Sequence, residues 1–286
     1  MIPEAADRYA EWKSWRPADF GMPSAASSAY FTRLFRRFAR PARRRLGILE
    51  IGFGNGQFLG WCRQQGHAVT GIETNPALLV RAAQAGFECH ASLGALGGRR
   101  FDLIVLFDVL EHLPESGLAD FLRELSAHLV DQGRIMVRTP NGGSPFGLNH
   151  QHGDPTHATI LTPNKFRYLA GHAGLALHYC GSDPYPLYAG SWQQLPGRAL
   201  RKLLRRLAEA FVRFAFAPQP GGVLCANLLT VLRPARLGAG SDDRPSVFKL
   251  IQIGRNARRS SHTRSAASPD TCRRAFPSGS ANVDND

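Results

Sequence analysis

Between residues 46 and 181 the chain changes repeatedly from short apolar runs to longer segments whose apolar residues recur every three or four positions. Short apolar runs are typical of buried strands, and the longer spacing is typical of amphipathic helices. Strand and helix therefore alternate, an order that builds a parallel sheet packed against helices. The predicted strands are 46–52, 67–73, 87–91, 101–107, 133–138, 175–181 and 223–232, and the predicted helices are 56–65, 76–85, 117–130 and 163–172.

The remaining segments define the predicted domain organisation. Residues 1–24 predict an irregular leader or a short helix, and apolar residues recur at helical spacing within 31–45. Residues 1–45 together predict an N-terminal helical cap, and residues 46–234 form the main domain. An insertion at 182–220 precedes the last strand, where the core pattern needs only a turn. From residue 235 to 286 the composition shifts to Ser, Arg, Asp, Gly and Ala with few apolar residues, so we expect a disordered tail.

The most informative chemical feature is a glycine-rich turn directly after the first predicted strand. Glycine allows backbone amides to approach a ligand in conformations that a Cβ would forbid. Glu73, at the end of the second strand, is suited to accept hydrogen bonds from ribose hydroxyls. A dinucleotide-binding turn would also carry a glycine five residues after Gly52, at position 57. That residue is Gln57, so the turn favours a ligand without a pyrophosphate. The glycines are Gly52, Gly54 and Gly56, and the acidic Glu50 precedes them.

Three sequence blocks, 50–56, 71–76 and 101–114, resemble the class I S-adenosylmethionine-dependent methyltransferases. The resemblance covers residues 25–233 and is strongest to the bacterial branch of ubiquinone-biosynthesis O-methyltransferases and sugar-cluster methyltransferases. It implies a Rossmann-like α/β fold, doubly wound, with a mostly parallel seven-stranded sheet and bound S-adenosyl-L-methionine. The cofactor-binding residues that we expect from it are Glu50, Gly52, Phe53, Gly54, Gly56, Glu73, Thr74, Phe107 and Asp108.

Methyl transfer to a hydroxyl requires alignment of the acceptor and removal of its proton. The loop at 139–162 follows the fifth strand and lies at the sheet edge where ligands bind in this architecture. We predict His157 as the general base and Asp154 as the residue that orients it or binds substrate hydroxyls. The alternative is that both residues only fix the loop through hydrogen bonds to the backbone.

A metal site is a second alternative for this loop. His150 and His152 lie beside the two predicted catalytic residues, and imidazole and carboxylate are common ligands of zinc and iron. Their spacing matches neither a helix face nor one side of a strand, so we expect no resident metal. For Glu111 and His112, after the fourth strand, we expect a role in organising the turn into the next helix.

The chain is strongly basic, with a net charge of +13, and its basic residues cluster in two segments. Seven arginines lie within 31–45, and six basic residues against one acidic residue lie within 196–216. In both segments apolar residues recur at helical spacing, so each basic helix could lie on an anionic membrane or pack on the sheet with its arginines solvated. We favour packing for the first and leave both options open for 197–216. Nucleic acid is not the expected partner, because no reading motif accompanies the charge.

The cysteines and the hydropathy pattern bear on the compartment. Five cysteines are scattered without paired spacing, which is typical of reduced thiols. The sequence contains neither an apolar stretch of about 18 residues nor a charged-then-apolar leader. We therefore expect a cytoplasmic protein that could sit at the cytoplasmic membrane face.

Together these features predict a methyltransferase that acts on a hydroxyl of a saccharide, a quinone-like molecule or a lipid-linked small molecule. N-methylation would use the same cofactor site and often needs no strong base. A nicotinamide-dependent oxidoreductase and a catalytically silent membrane-associated module remain as alternatives from other classes. Cofactor binding would separate all of these alternatives from one another except O- and N-methylation.

Overall fold

The computed structural model describes residues 13, 15–39, 44–184, 193, 195–216 and 222–235. Its strands are β1 (Gly47–Ile51), β2 (Ala68–Ile72), β3 (Glu88–His90), β4 (Phe101–Phe107), β5 (Leu129–Pro140), β6 (Leu175–Ser182) and β7 (Asn227–Pro234). Its α-helices are α1 (Ala25–Phe38), α2 (Gln57–Gln64), α3 (Pro76–Gln84), α4 (Leu118–Ala127), α5 (Leu148–His152), α6 (Pro163–His172) and α7 (Leu195–Phe216). Short 3₁₀ turns lie between several of them.

The seven strands form one sheet in the order β3-β2-β1-β4-β5-β7-β6. The pairs from β3 to β5 are parallel, whereas β7 runs antiparallel to both of its neighbours. The predicted α/β class and the mostly parallel seven-stranded sheet are confirmed. The chain leaves β1 toward β2 and β3 on one side and later returns to β4 on the other, so the order reverses between β1 and β4. Ligands of open α/β sheets bind at the carboxyl end of such a reversal.

The core is divided between the two faces of the central strands. In β1, Leu49 packs into a cluster with helices α4 and α6, while Ile48 packs into a second cluster with α1 and α2. Successive side chains of a strand point to opposite faces, which explains this division. Because both faces are covered, β1 and β4 read as continuous apolar runs in the sequence.

Local sequence signals start the helices that flank the sheet. Ser24 caps α1 by accepting the amide of Ser27 at 3.0 Å, and Asn75 caps α3 by accepting the amide of Ala77 at 2.9 Å. Thr162 caps α6 in the same way. Proline follows the cap in α3 and α6, where its missing N–H would have no intrahelical partner.

Several boundaries differ from the sequence-based prediction. β5 begins at Leu129 rather than residue 133, because Leu129 pairs with Phe101 before a shift of register, and α4 ends correspondingly early at Ala127. The loop at 139–162 contains the short helix α5. The first basic segment is helical only to Phe38, so three of its seven arginines lie on α1. The predicted insertion contains α7, and the predicted tail lies outside the described residues apart from Ala235.

Candidate functional site

The glycine turn after β1 adopts a backbone conformation that requires glycine. Gly52, Gly54 and Gly56 all have positive φ angles, of 66°, 53° and 68°. A Cβ on Gly54 would lie 2.7 Å from the ring of Trp15, and one on Gly56 would lie 2.9 Å from the ring of Phe20. The segment ahead of α1 therefore covers the glycine turn directly, which is consistent with the predicted N-terminal cap.

Glu73 follows β2 and is tied to the same turn. One carboxylate oxygen accepts the amide of Gly54 at 3.1 Å, and the other accepts the amides of Thr74 at 2.8 Å and Asn75 at 3.1 Å. A carboxylate offers about four acceptor positions, so roughly one remains for a ligand hydroxyl. A second hydroxyl could bind only if one backbone amide is released. The carboxylate thus links the glycine turn to the start of α3.

Glu50 is a buried acid at the carboxyl end of β1, only 3% exposed, and one of its oxygens has no hydrogen-bond partner among the described residues. Burial, reinforced by the charge of Glu73, raises the pKa of Glu50 well above its usual value. An orphaned buried acceptor beside a glycine turn is a polar group that a ligand donor or an ordered water can satisfy.

The opposite wall of the site is an ionic network that the sequence did not reveal. Asp108, after β4, has the unusual φ angle of 57° and receives two hydrogen bonds from the guanidinium of Arg138. Arg138 also lies over the rings of Tyr30 and Phe107. The hydroxyl of Tyr30 donates to Asp183 at 2.8 Å. The carboxylate of Asp108 is therefore engaged by an arginine, which limits its availability to a cofactor ammonium group.

The predicted catalytic residues lie together in the loop between α5 and α6. His157 Nδ1 donates to the carbonyl of Gln151 at 2.9 Å, and its Nε2 lies 3.7 Å from Asp154. Asp154 also accepts from the hydroxyl of Thr156 at 2.5 Å and from Lys13 at 3.2 Å. Burial alone would raise the pKa of Asp154, but the hydrogen bonds from Thr156 and Lys13 lower it to about 2. Both side chains are 7% exposed.

Glu111 and His112 lie against this loop, in a 3₁₀ turn after β4. The rings of His112 and His157 are in edge contact at 4.7 Å. Glu111 is completely buried, and neither of its carboxylate oxygens has a hydrogen-bond partner in the described part of the chain. Burial, with the nearby charge of Asp108, raises the pKa of Glu111 to about 8. Burial and the neighbouring His157 lower the pKa of His112.

Most of these groups, including Glu50, Glu73, Asp108, Glu111 and His157, line one cavity of about 1740 Å³ at the carboxyl edge of the sheet. Ligand pockets of roughly 300–1,000 Å³ hold one drug-sized molecule, so this cavity has room for a cofactor and an acceptor. The described cavity wall includes every predicted cofactor-binding residue except Gly56, whose backbone starts α2. His150 lies at the wall and His152 does not, and neither joins the cluster of Glu111, His112 and His157.

The cavity wall also includes residues that were not predicted from the sequence, four of them charged or aromatic side chains at the site. Lys13, Trp15 and Tyr30 come from the segment before the first strand, whose pattern predicted a cap but not which side chains face a ligand. Arg138 carried a usable signal, because a charged residue directly after the apolar run 135–137 needs a partner or a function. Its partner, Asp108, directly follows β4, the strand that pairs in parallel with β5.

The site fits a nucleoside cofactor with a positive charge. Positive-φ glycines form a backbone surface that a Cβ would obstruct, and Glu50 offers a buried acceptor with no described partner. Such a turn at the reversal of this sheet order, with an acid after β2, defines a class I S-adenosylmethionine-dependent methyltransferase. The family described as a methyltransferase domain matches residues 22–180, more than half of the chain, and the chain belongs to that family.

Three known proteins illustrate what the chain is similar to. The chain is 25% identical over 185 residues to a ubiquinone biosynthesis O-methyltransferase of Azorhizobium caulinodans, covering 56% of this chain and 72% of the relative. A TehB-like S-adenosylmethionine-dependent methyltransferase of Corynebacterium glutamicum has a similar fold, with a TM-score of 0.50, 20% identity, and coverage of 81% of this chain and 99% of that one. A 1,6-didemethyltoxoflavin-N1-methyltransferase of Burkholderia thailandensis, solved with S-adenosylhomocysteine, gives a TM-score of 0.48, 16% identity, and coverage of 82% and 89%.

Proposed function

We propose that this methyltransferase transfers a methyl group to a hydroxyl of a small molecule, of the saccharide, quinone-like or lipid-linked kind. The observation that carries the proposal is His157, which lines the same cavity as the glycine turn and Glu73 and whose Nδ1 is fixed by the carbonyl of Gln151. A buried imidazole is the side chain best suited to accept a hydroxyl proton near neutral pH. The name of the Azorhizobium relative, an O-methyltransferase, supports the same choice.

The proposed cofactor contacts follow from the positions of the lining residues. Glu73 would accept a ribose hydroxyl through its remaining acceptor position, with Thr74 beside it. Gly52, Gly54 and the backbone of Phe53 would border the cofactor, and Glu50 would hold its ammonium group through a water molecule. Phe107 and Asp108 would line the methionine portion. When bound, S-adenosylmethionine supplies an electrophilic methyl group on a sulfonium.

The role proposed for His157 depends on its tautomer. A carbonyl can only accept, so the contact with Gln151 requires the proton on Nδ1. In the neutral ring Nε2 therefore carries the lone pair and can take the acceptor proton. Asp154, fixed by Thr156 and Lys13, would hold the loop and stabilise the imidazolium that results.

The test compares a His157→Asn variant with a His152→Asn control, which changes an exposed histidine of α5 outside the cavity wall. With labelled cofactor and a panel of hydroxyl and amine acceptors, we expect His157→Asn to lower kcat by about 10²–10⁴-fold. Affinity for S-adenosylhomocysteine should stay within about threefold, because losing the base removes no cofactor hydrogen bond. Near-normal turnover by His157→Asn would refute the base and favour N-methylation.

The helix α7 supports a lipid-linked acceptor within this proposal. None of its residues is buried, and seven of its large apolar side chains are 53–90% exposed. Six basic residues against one acidic residue make the same helix complementary to an anionic bilayer surface. No helix in the described ranges combines the length and apolarity needed to cross a membrane. The exposed apolar residues are Leu200, Leu203, Leu204, Leu207, Phe211, Phe214 and Phe216.

Vesicle sedimentation tests the proposed contact of α7 with an anionic membrane. We expect binding to vesicles of phosphatidylcholine mixed with phosphatidylglycerol, weaker binding at high salt, and little binding to pure phosphatidylcholine, because each basic residue near the anionic surface contributes about 1 kcal/mol. The double variant Leu203→Ser with Leu207→Ser should lose binding, whereas Val80→Ser, at an exposed apolar position of α3, should retain it. Self-association of the chain without vesicle binding would refute the membrane contact, as would binding to RNA alone.

A further inference from the structure

Three side chains at the cavity wall come together although they are distant in the sequence. Glu111 and His112 lie in the turn after β4, and His157 lies in the loop before α6. Each offers a ligand atom, and these atoms all lie within 4.8 Å of one another. Donor atoms bound to one ion at about 2.0–2.2 Å are themselves roughly 3–4 Å apart, so a small rotation of these side chains would suffice.

Both imidazoles are oriented as metal ligands usually are. His157 Nδ1 donates to the carbonyl of Gln151 at 2.9 Å, and His112 Nδ1 contacts the carbonyl of Thr156 at 3.3 Å and its hydroxyl at 3.0 Å. The Thr156 hydroxyl already donates to Asp154, so His112 must be the donor in these contacts. Each neutral ring therefore has its lone pair on Nε2, with a backbone carbonyl fixing the tautomer, which is the usual second-shell arrangement of metal-bound histidine.

Glu111 supplies an independent observation. It is 0% exposed, and both of its oxygens are buried without a partner among the described residues. A buried carboxylate without hydrogen bonds is costly, and such groups are normally paired or bound to a metal. The turn that places Glu111 here is fixed from the other side, since its backbone carbonyl accepts the amides of Ala158 and Thr159 at 2.8 and 2.9 Å.

We infer that Glu111, His112 and His157 bind a divalent transition-metal ion at the cavity wall. Two imidazoles and one carboxylate suit Zn²⁺, Mn²⁺, Co²⁺ or Fe²⁺ better than Mg²⁺ or Ca²⁺, which prefer oxygen ligands. Three protein ligands leave coordination positions open, as in catalytic metal sites. All three residues line the cavity, so a small molecule there can reach those positions.

The charges around the cluster are compatible with a cation. Asp154 lies 3.7 Å from Nε2 of His157, and its carboxylate is within reach of the ion or of a ligand water. Lys13 is the basic group at Asp154, at 3.2 Å, and would compete with the ion for that carboxylate. Asp108, whose charge also acts on Glu111, is held by Arg138.

This inference keeps the proposed O-methylation but replaces the free His157 base with a metal-bound His157. It rests on the proposed function in one respect, because it assumes that the acceptor oxygen enters this part of the cavity. A bound cation lowers the pKa of a coordinated hydroxyl, as zinc does for water. The favoured acceptors would then have a phenolic or enolic hydroxyl, or two adjacent hydroxyls that bind the ion together. In the ion-loaded protein His157 is a ligand, and the ion rather than a free imidazole assists loss of the proton to solvent.

The test starts with the full chain after dialysis against a chelator. Zn²⁺, Mn²⁺ and Co²⁺ are titrated calorimetrically, and the visible spectrum of the Co²⁺ form reports on its ligands. We expect one ion per chain in the wild type and in the His152→Asn control. Glu111→Gln, His112→Asn and His157→Asn should each weaken binding by about tenfold or more. Circular dichroism and thermal unfolding of each variant verify that it is folded, and the near-isosteric Glu111→Gln guards against a folding defect.

Two outcomes would overturn the inference. One is no stoichiometric binding of any of the three ions, and the other is binding that survives His112→Asn but is lost in His152→Asn. S-adenosylhomocysteine affinity, measured on the same chelated samples, keeps the two proposals apart: cofactor binding without metal binding defeats only the metal site, and the reverse defeats only the methyltransferase site. Turnover of His112→Asn adds a second distinction, because this residue is not the proposed base. Equal turnover of this variant and the wild type, each with added metal, would contradict a role of the ion in catalysis.

Discussion

Replacing Glu73 by glutamine tests the cofactor site with the least change of shape. The carboxylate of Glu73 accepts three backbone amides, at 3.1 Å from Gly54, 2.8 Å from Thr74 and 3.1 Å from Asn75. Glutamine keeps one acceptor oxygen. If that oxygen keeps the two amides of the following turn, the new NH₂ group faces the N–H of Gly54, donor against donor.

Two magnitudes follow from this arrangement. The charge-assisted bond proposed between Glu73 and a ribose hydroxyl would be lost, and a hydrogen bond to a charged group contributes about 1.5–3 kcal/mol. That range corresponds to a loss of affinity for S-adenosylhomocysteine of about 10- to 150-fold. The lost bond to Gly54 should lower the free energy of unfolding by about 1–3 kcal/mol, because one backbone donor is left without its acceptor.

Calorimetric titration with S-adenosylhomocysteine and urea unfolding measure the two effects separately. The matched control is Glu115→Gln, which removes an exposed surface ion pair with Lys165 and should change neither quantity appreciably. Affinity of Glu73→Gln within about threefold of the wild type would refute the ribose contact. Weak cofactor binding with unchanged stability would mean that water replaces the hydrogen bond between the Gly54 amide and the Glu73 carboxylate at little cost in free energy.

Two further predictions concern stability. The pKa of Asp154 is about 2 in the folded chain against an ordinary 3.8, so this group stabilises the fold above pH 4 by about 2 kcal/mol, and the contribution is lost as the pH falls from 4 toward 2. In urea unfolding across this range Asp154→Asn should show a correspondingly flatter pH dependence than the wild type, and parallel curves would contradict the prediction. Gly60→Ala should destabilise the chain by about 1–3 kcal/mol, because its Cβ would lie 1.8 Å from the carbonyl of Gly21. Gly171→Ala, in the open surface of α6, should stabilise it by up to about 1 kcal/mol, and thermal shifts of the same sign for both variants would be inconsistent with this packing.

The part of the site that could be predicted from the sequence is the part built by adjacent residues. The glycine turn and Glu73 each follow a strand directly, and their local spacing specifies both the backbone conformation and the sheet edge. Glu50 was predicted for the same reason. The residues of the opposite wall needed the fold, because Asp108 and Arg138 lie 30 positions apart and meet only through the pairing of β4 with β5.

The histidines illustrate the limit most clearly. Sequence proximity grouped His157 with His150 and His152, whereas the structure groups it with His112 and Glu111. The loop after β5 folds back over the turn after β4, so that Thr156 contacts a residue 44 positions earlier. The spacing of hydrophobic residues along the chain does not indicate that this loop packs over the turn after β4.

The alternation of strand and helix, the α/β class and the glycine turn were determined by the sequence itself, because periods of two and of three to four residues and the backbone freedom of glycine are local properties. The tertiary structure decided which polar side chains share the cavity, and that the apolar side of α7 stays exposed rather than packing on the sheet. Both outcomes depend on contacts between segments that are far apart in the chain, where loop paths and packing choose among arrangements that the local pattern permits equally.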